Sequence, residues 1–183
     1  MIFLKALSAS LLFFVNTSPA FAGIDRDGPS TYLTNRYSGL DADFSIPSSC
    51  YIPDNAACPN GTPIALGPSR EIFGFHEMGD GWKEVKWFGD YCLDAEAAGT
   101  ANGTKVILWQ CHGGPNQLWI PRIFVSGDPD TKILVNRNSG KCLDADNPAF
   151  PAPPKPGARL QLWDCIGSTS AYNAVNQDWK FEW

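Results

Sequence analysis

The side chains best suited to chemistry occur twice, in the same order. Residues 91–119, YCLDAEAAGTANGTKVILWQCHGGPNQLW, hold Asp94, Trp109, His112, Asn116 and Gln117 around two cysteines. Residues 142–179 repeat the plan with Asp144, Trp163, Asn176 and Gln177. An acid, a tryptophan and two primary amides supply hydrogen-bond acceptors, donors and a flat apolar plate. They do not supply a nucleophile and its base. The chain has two histidines, His76 and His112, and no H-E-x-x-H, G-x-S-x-G or phosphate-cradling glycine motif. Paired carboxylates could hydrolyse a glycoside, but here the acids recur once per repeat, which suits repeated binding sites better than one asymmetric active site. No enzyme, cofactor or metal centre is therefore expected.

The segments that must position these groups also repeat. The order is C-L-D-A, then an apolar strand ending L-W-x-C, then N-Q-x-W, complete at 92–119 and 142–179. A fainter copy precedes them. Leu40-Asp41-Ala42 stands for the L-D-A, with Asp41 as its acid and two residues missing before the leucine. Residues 61–66 match 103–108 and 157–162. The L-D-A triplets start at 40, 93 and 143, about 50 residues apart, a spacing that calls for a repeat reading. Repeats are placed at approximately 31–81, 82–131 and 132–183. In the first, Gly67 replaces the tryptophan, Ser69 the second cysteine, and Arg70-Glu71 the amide pair. Short apolar stretches such as VKWF, KVILW, KILV and LQLW alternate with Gly, Pro and Asn, and no window keeps a 3.6-residue period. The chain is read as all-β. Three units are too few for a propeller and point to a small closed assembly with pseudo-threefold symmetry.

Composition narrows the class. Lys5, an apolar run over residues 6–15 and the small-residue ending Ala20-Phe21-Ala22 have the form of a secretory signal peptide cleaved after Ala22. The apolar core is too short for a membrane span, and the mature chain, 23–183, is read as one secreted domain. A net charge of −5 and the lack of a Lys/Arg cluster argue against nucleic acid. Six cysteines in an exported chain allow fifteen pairings. The repeats select Cys92–Cys111 and Cys142–Cys165 by matched position and leave Cys50 for Cys58.

C-L-D-A, L-W-x-C and N-Q-x-W in this order resemble the ricin-type (R-type) β-trefoil lectins, also called family-13 carbohydrate-binding modules. The likeness covers nearly all of residues 23–183 and is specific in repeats two and three. It implies a β-trefoil of three pseudo-symmetric repeats, built from twelve strands, with one sugar site for each lobe. It further implies that Asp94 and Asp144 accept sugar hydroxyls, that Trp109 and Trp163 stack on the sugar face, that Asn116 and Asn176 bond a hydroxyl, and that Gln117 and Gln177 brace the acids. His112 is a further candidate, although a surface position without a ligand role is the plainer reading. Trp119 and Trp179 are expected in the core. The acids could simply cap turns, but that would not require a tryptophan and an amide pair at matched places. Repeat one, without plate or amide pair, is read as structural or as a contact surface.

The expected partner is a saccharide of galactose, N-acetylgalactosamine or xylan type, bound in repeats two and three. The alternative is a lectin-like receptor-binding or targeting subunit of a secreted, toxin-like assembly, with a partner protein subunit. The sequence does not choose the sugar. Asn60-Gly61-Thr62 and Asn102-Gly103-Thr104 are glycosylation sequons that would matter in a eukaryotic source.

Overall fold

The computed structural model describes residues 30–43, 60–69, 71–87, 90–123, 131–166 and 176–182. The expected leader and the expected Cys50–Cys58 cross-link lie outside them. Apart from two short 3₁₀ turns, the regular elements of the described chain are all β-strands. Lobe one comprises β1 (Ser30–Asn35), β2 (Asp41–Asp43), β3 (Thr62–Pro63), β4 (Ala65–Gly67) and β5 (Ile72–Gly79). Lobe two comprises β6 (Trp82–Trp87), β7 (Tyr91–Ala95), β8 (Val106–Gln110) and β9 (Leu118–Ile123). Lobe three comprises β10 (Thr131–Asn136), β11 (Cys142–Ala145), β12 (Leu160–Trp163) and β13 (Trp179–Glu182).

The first and last strands of each lobe close a barrel. Neighbours pair antiparallel in the cycle β1, β5, β6, β9, β10, β13 and back to β1. Closure leaves these six strands no free edge. The remaining strands form one hairpin for each lobe, β2–β4, β7–β8 and β11–β12. This is a β-trefoil. Its expected twelve strands appear as thirteen because one is broken at Ile64: β3 pairs with β8 of the next lobe, and β4 with β2 of its own.

The hairpins lock to one another around the pseudo-threefold axis. The N–H of Gly61 donates to Leu108 O at 2.9 Å, that of Gly103 to Leu162 O at 2.9 Å, and that of Gly157 to Leu66 O at 2.7 Å. All three glycines have positive φ, +90°, +83° and +85°, where a Cβ would be strained. The three leucines are buried and meet Leu93, Leu143, Trp87, Trp119 and Trp179 in one core. Trp119 donates its indole N–H to Leu93 O at 3.0 Å, and Trp179 does the same to Leu143 O at 3.1 Å. Phe73 takes this place in lobe one, apolar but without a donor.

Lobe one corrects the register read from the sequence. Leu93 faces Leu108, Leu143 faces Leu162, and Ala42 faces Leu66. Ala42 is therefore the counterpart of the two leucines, Asp41 of Cys92 and Cys142, and Asp43 of Asp94 and Asp144. No residues are missing. The turn from Asn35 to Asp41 is as long as that from Asn136 to Cys142, and in both the asparagine Oδ1 accepts from a serine, Ser38 or Ser139. Asp41 is buried and accepts from the Thr34 hydroxyl opposite it. It replaces a disulfide cysteine and is not the acid of a site. The two cross-links expected in lobes two and three, Cys92–Cys111 and Cys142–Cys165, are present.

The positions of the tryptophans yield a direct comparison. Trp119→Ala should destabilise the fold by about 3–5 kcal/mol, through the cavity and the lost bond to Leu93. Trp109→Ala, at an exposed position, should shift stability by no more than about 0.5 kcal/mol. Urea unfolding of the two variants checks both values.

Candidate functional site

Each intact hairpin sets an acid and a tryptophan on one face. Strand period places Asp94 and Cys92 on the same side of β7, and their partners across the ladder, Ile107 and Trp109, on the same side of β8. Lobe three repeats this with Asp144 opposite Gln161 and Cys142 opposite Trp163. The tryptophans stand out of the surface, with Trp109 39% and Trp163 42% exposed. The acids lie beneath them, both buried. The disulfides tie the start of the acid-bearing strand to the segment after the plate.

The amide pair completes the group. In lobe two a 3₁₀ turn, Pro115–Gln117, carries Asn116 and Gln117 inward; proline suits its first position because its φ is already set and no N–H is required there. Asn116 and Gln117 both donate to Asp94 Oδ2 at 2.9 Å. Gln117 also donates to Gln110 O at 3.1 Å and accepts from the His112 N–H at 2.8 Å. In lobe three Asn176 and Gln177 donate to Asp144 Oδ2 at 2.6 and 2.9 Å. Gln177 likewise donates to Asp164 O at 3.0 Å and accepts from the Ile166 N–H at 2.9 Å. Each glutamine is fully buried and clamps the carboxylate to the backbone beyond the plate.

The structure thus brings together Asp94, Trp109, His112, Asn116 and Gln117 in one lobe, and Asp144, Trp163, Asn176 and Gln177 in another. His112 is closer to the acid than its surface reading suggested. Its Nε2 lies 3.4 Å from Asp94 Oδ2. Its Nδ1 accepts the Gly114 N–H at 3.1 Å, so the neutral ring carries its proton on Nε2, facing the acid. Among the described residues, lobe one assembles nothing comparable. A Cβ on Gly67 would lie 2.1 Å from Asp43 Oδ2, so the acid itself fills the space of a plate. Glu71, at the glutamine position, accepts from Trp87 Nε1 at 3.0 Å. Arg70 lies outside the described residues.

Two contributions were not foreseen. Gln161 Nε2 donates to Asp144 Oδ1 at 3.0 Å; its place between L and L of L-Q-L-W, directly across from the acid, was the available signal. Asparagines of the preceding lobe pin the residue after each plate. Asn60 Oδ1 accepts from Gln110 N at 2.8 Å, and Asn102 exchanges bonds with the Asp164 backbone N–H and side chain at 3.0 and 2.8 Å. The recurring N-G-T was their signal. The cluster of Glu84 with Cys92 and Cys111 is no candidate thiolate metal site, because both sulfurs are in the disulfide.

Burial sets the acids' protonation. Desolvation raises Asp94, against the opposing bonds from Gln117, Asn116 and His112 and the His112 charge. Asp144 is raised to about 6, again chiefly by burial; Gln161, Gln177 and Asn176 oppose the shift and the Asp146 charge adds to it.

Comparison with known proteins agrees with this fold. Residues 78–163 match the family model described as ricin-type β-trefoil lectin domain-like. The designed threefold-symmetric protein ThreeFoil is 25% identical with a TM-score of 0.65, over 83% of this chain and 96% of its own. A ricin B-like lectin of Macrolepiota procera, solved in complex with lactose, has a TM-score of 0.59 at 17% identity, over 85% of this chain and 95% of the lectin. An exo-β-1,3-galactanase of Clostridium thermocellum superposes with a TM-score of 0.63 at 22% identity, over 86% of this chain but 30% of the galactanase. The probable lipoprotein EnvE of Salmonella typhimurium is 36% identical over 77 residues, 42% of this chain and 36% of that lipoprotein's length. The described chain folds as a β-trefoil, and its residues 78–163 are similar to a ricin-type lectin domain.

The raised acids have a consequence for stability. A carboxyl at 3.8 unfolded and about 6 folded binds more protons in the native state between those values, so stability falls as pH rises through that window. Asp144 should contribute a loss on the order of 2 kcal/mol from pH 4 to pH 6, with the small remainder lost by about pH 7. Urea unfolding at a series of pH values should show this slope in the parent chain and a shallower one in Asp144→Asn.

Proposed function

We propose that the chain is a secreted saccharide-binding protein with two sugar sites, at Asp94/Trp109/Asn116/Gln117 in lobe two and Asp144/Trp163/Asn176/Gln177 in lobe three. One observation carries this reading: in both lobes an exposed tryptophan shares a face with a buried carboxylate that two amides hold in place. A pyranose presents an apolar face of C–H groups and a fan of hydroxyls. The plate suits the first, and the acid with its asparagine suits the second. A turn-capping acid would require no exposed aromatic beside it.

The lactose of the Macrolepiota procera complex and the galactan of the superposed galactanase favour a galactose-type ligand, with N-acetylgalactosamine and xylan-type sugars next. The chain spans 30% of that galactanase, and the activity in its name is not carried over; binding without catalysis is the reading here. Cross-links in lobes two and three and the N-terminal apolar segment support export. Each site is shallow, with a monosaccharide Kd on the order of 1 mM, about −4 kcal/mol. Useful strength comes from engaging two sugars of one surface at once.

Retention on immobilised lactose, N-acetylgalactosamine and xylan tests the assignment. Trp109→Ala and Trp163→Ala should each weaken retention, and the double variant should abolish it while near-UV circular dichroism and unfolding midpoint stay close to the parent's. Asp94→Ala with Asp144→Ala should do the same to retention. Asp43→Ala should leave it unchanged. Retention that survives loss of both plates, or that depends on Asp43, refutes the two-site reading.

A further inference from the structure

The two lobes agree in acid, plate and amide pair, and differ in the third donor that reaches the acid. In lobe two it is His112, approaching Asp94 Oδ2, which already accepts from Asn116 and Gln117. Among the described residues no donor is placed on Asp94 Oδ1. The residue across the ladder from Asp94 is Ile107, which has no donor to give. In lobe three the pattern is reversed. The counterpart of His112 is Ile166, and the residue across from Asp144 is Gln161. Its amide donates to Asp144 Oδ1 at 3.0 Å, so both oxygens of this acid are engaged by the protein.

We propose that the two sugar sites are unequal, lobe two being the stronger, and that Gln161 is the residue that sets the difference by taking an acceptor position on Asp144 that Asp94 leaves open to a ligand hydroxyl. This rests on the reading of both lobes as sugar sites. Gln161 and Trp163 lie two residues apart on one face of β12, so the amide lies on the side of the strand where the plate stands. A hydroxyl arriving at Asp144 must share or displace the bond from Gln161, whereas one arriving at Asp94 Oδ1 displaces only water. One net hydrogen bond corresponds to roughly a three- to tenfold difference in affinity. Gln161 is thus a specificity-determining residue, and the asymmetry it creates is separate from the loss of lobe one.

The experiment follows the indole N–H signals of Trp109 and Trp163 by NMR in the full mature chain during titration with lactose, assigning them with Trp109→Phe and Trp163→Phe. The parent should show a Kd about three- to tenfold lower at Trp109 than at Trp163. Gln161→Ile, which installs the lobe-two residue, and the near-isosteric Gln161→Leu should bring Trp163 to within about twofold of Trp109 and leave Trp109 unchanged. Without any sugar, the carboxyl ¹³C titration of Asp144 should move above its value of about 6 in both variants, because a donor to the charged form has been removed. Equal affinities in the parent overturn the proposal. So does an Asp144 titration that does not move, or a Trp163 affinity that stays the same or weakens, while Trp109 still responds. A failure of both indoles to respond to lactose, galactose, N-acetylgalactosamine and xylobiose overturns the reading of the lobes as sugar sites, and the inference with it.

Discussion

The structure of lobes two and three depends on one buried side chain in each, the glutamine of Q-x-W. Gln117 and Gln177 donate to the acid and to a backbone carbonyl, and accept from a backbone N–H just beyond the disulfide. A primary amide can do all three at once because it carries two donor hydrogens and an acceptor oxygen on one planar group. A carboxylate cannot. Lobe one shows the result: with Glu71 in that place the side chain accepts from Trp87 instead, Gly67 offers no plate and Asp43 occupies the space in front of it. Losing the amide, the plate and the cysteine pair together is what is expected when those parts support one another.

The fold supplies the rigidity that the amide requires. Closure of the six barrel strands and the ring of glycine N–H bonds at 61, 103 and 157 fix the three hairpins against each other. Trp119 and Trp179, two residues beyond each glutamine, bond the carbonyl that precedes the acid, at Leu93 and Leu143. The same short segment therefore braces the acid from one side and anchors its strand from the other. The cost is a carboxylate held away from water. Its raised protonation value is the expected result of placing an acid on a packed hairpin instead of a mobile loop.

Much of this was legible in the sequence because it repeats. Two copies of C-L-D-A, L-W-x-C and N-Q-x-W grouped Trp109 and Trp163 with the acids and amides, put Trp119 and Trp179 inside, and paired the cysteines of lobes two and three. Lobe one was misread for a physical reason. Leu40-Asp41-Ala42 spells the motif, but register is set by the length of the Asn35–Asp41 turn, which equals that of Asn136–Cys142. The gapless match of NRYSG to NRNSG carried that information, and the chance triplet obscured it. Gln161 was missed because a glutamine in an apolar strand reads as an exposed position. Only the cross-strand register shows that it faces Asp144. His112, half exposed, is brought to Asp94 by a bond that its Nδ1 accepts from the Gly114 N–H, which spacing alone does not reveal.

The central claim is that two lobes, and not the first, present a plate and a braced acid to a sugar. A crystal of residues 23–183 soaked in concentrated lactose tests it directly. The account predicts difference density for a galactose ring stacked on Trp109 with a hydroxyl on Asp94, and a second ring on Trp163 with a hydroxyl on Asp144. A ring seated against Gly67 and Asp43, or sugar bound elsewhere while both plates stay bare, would contradict it.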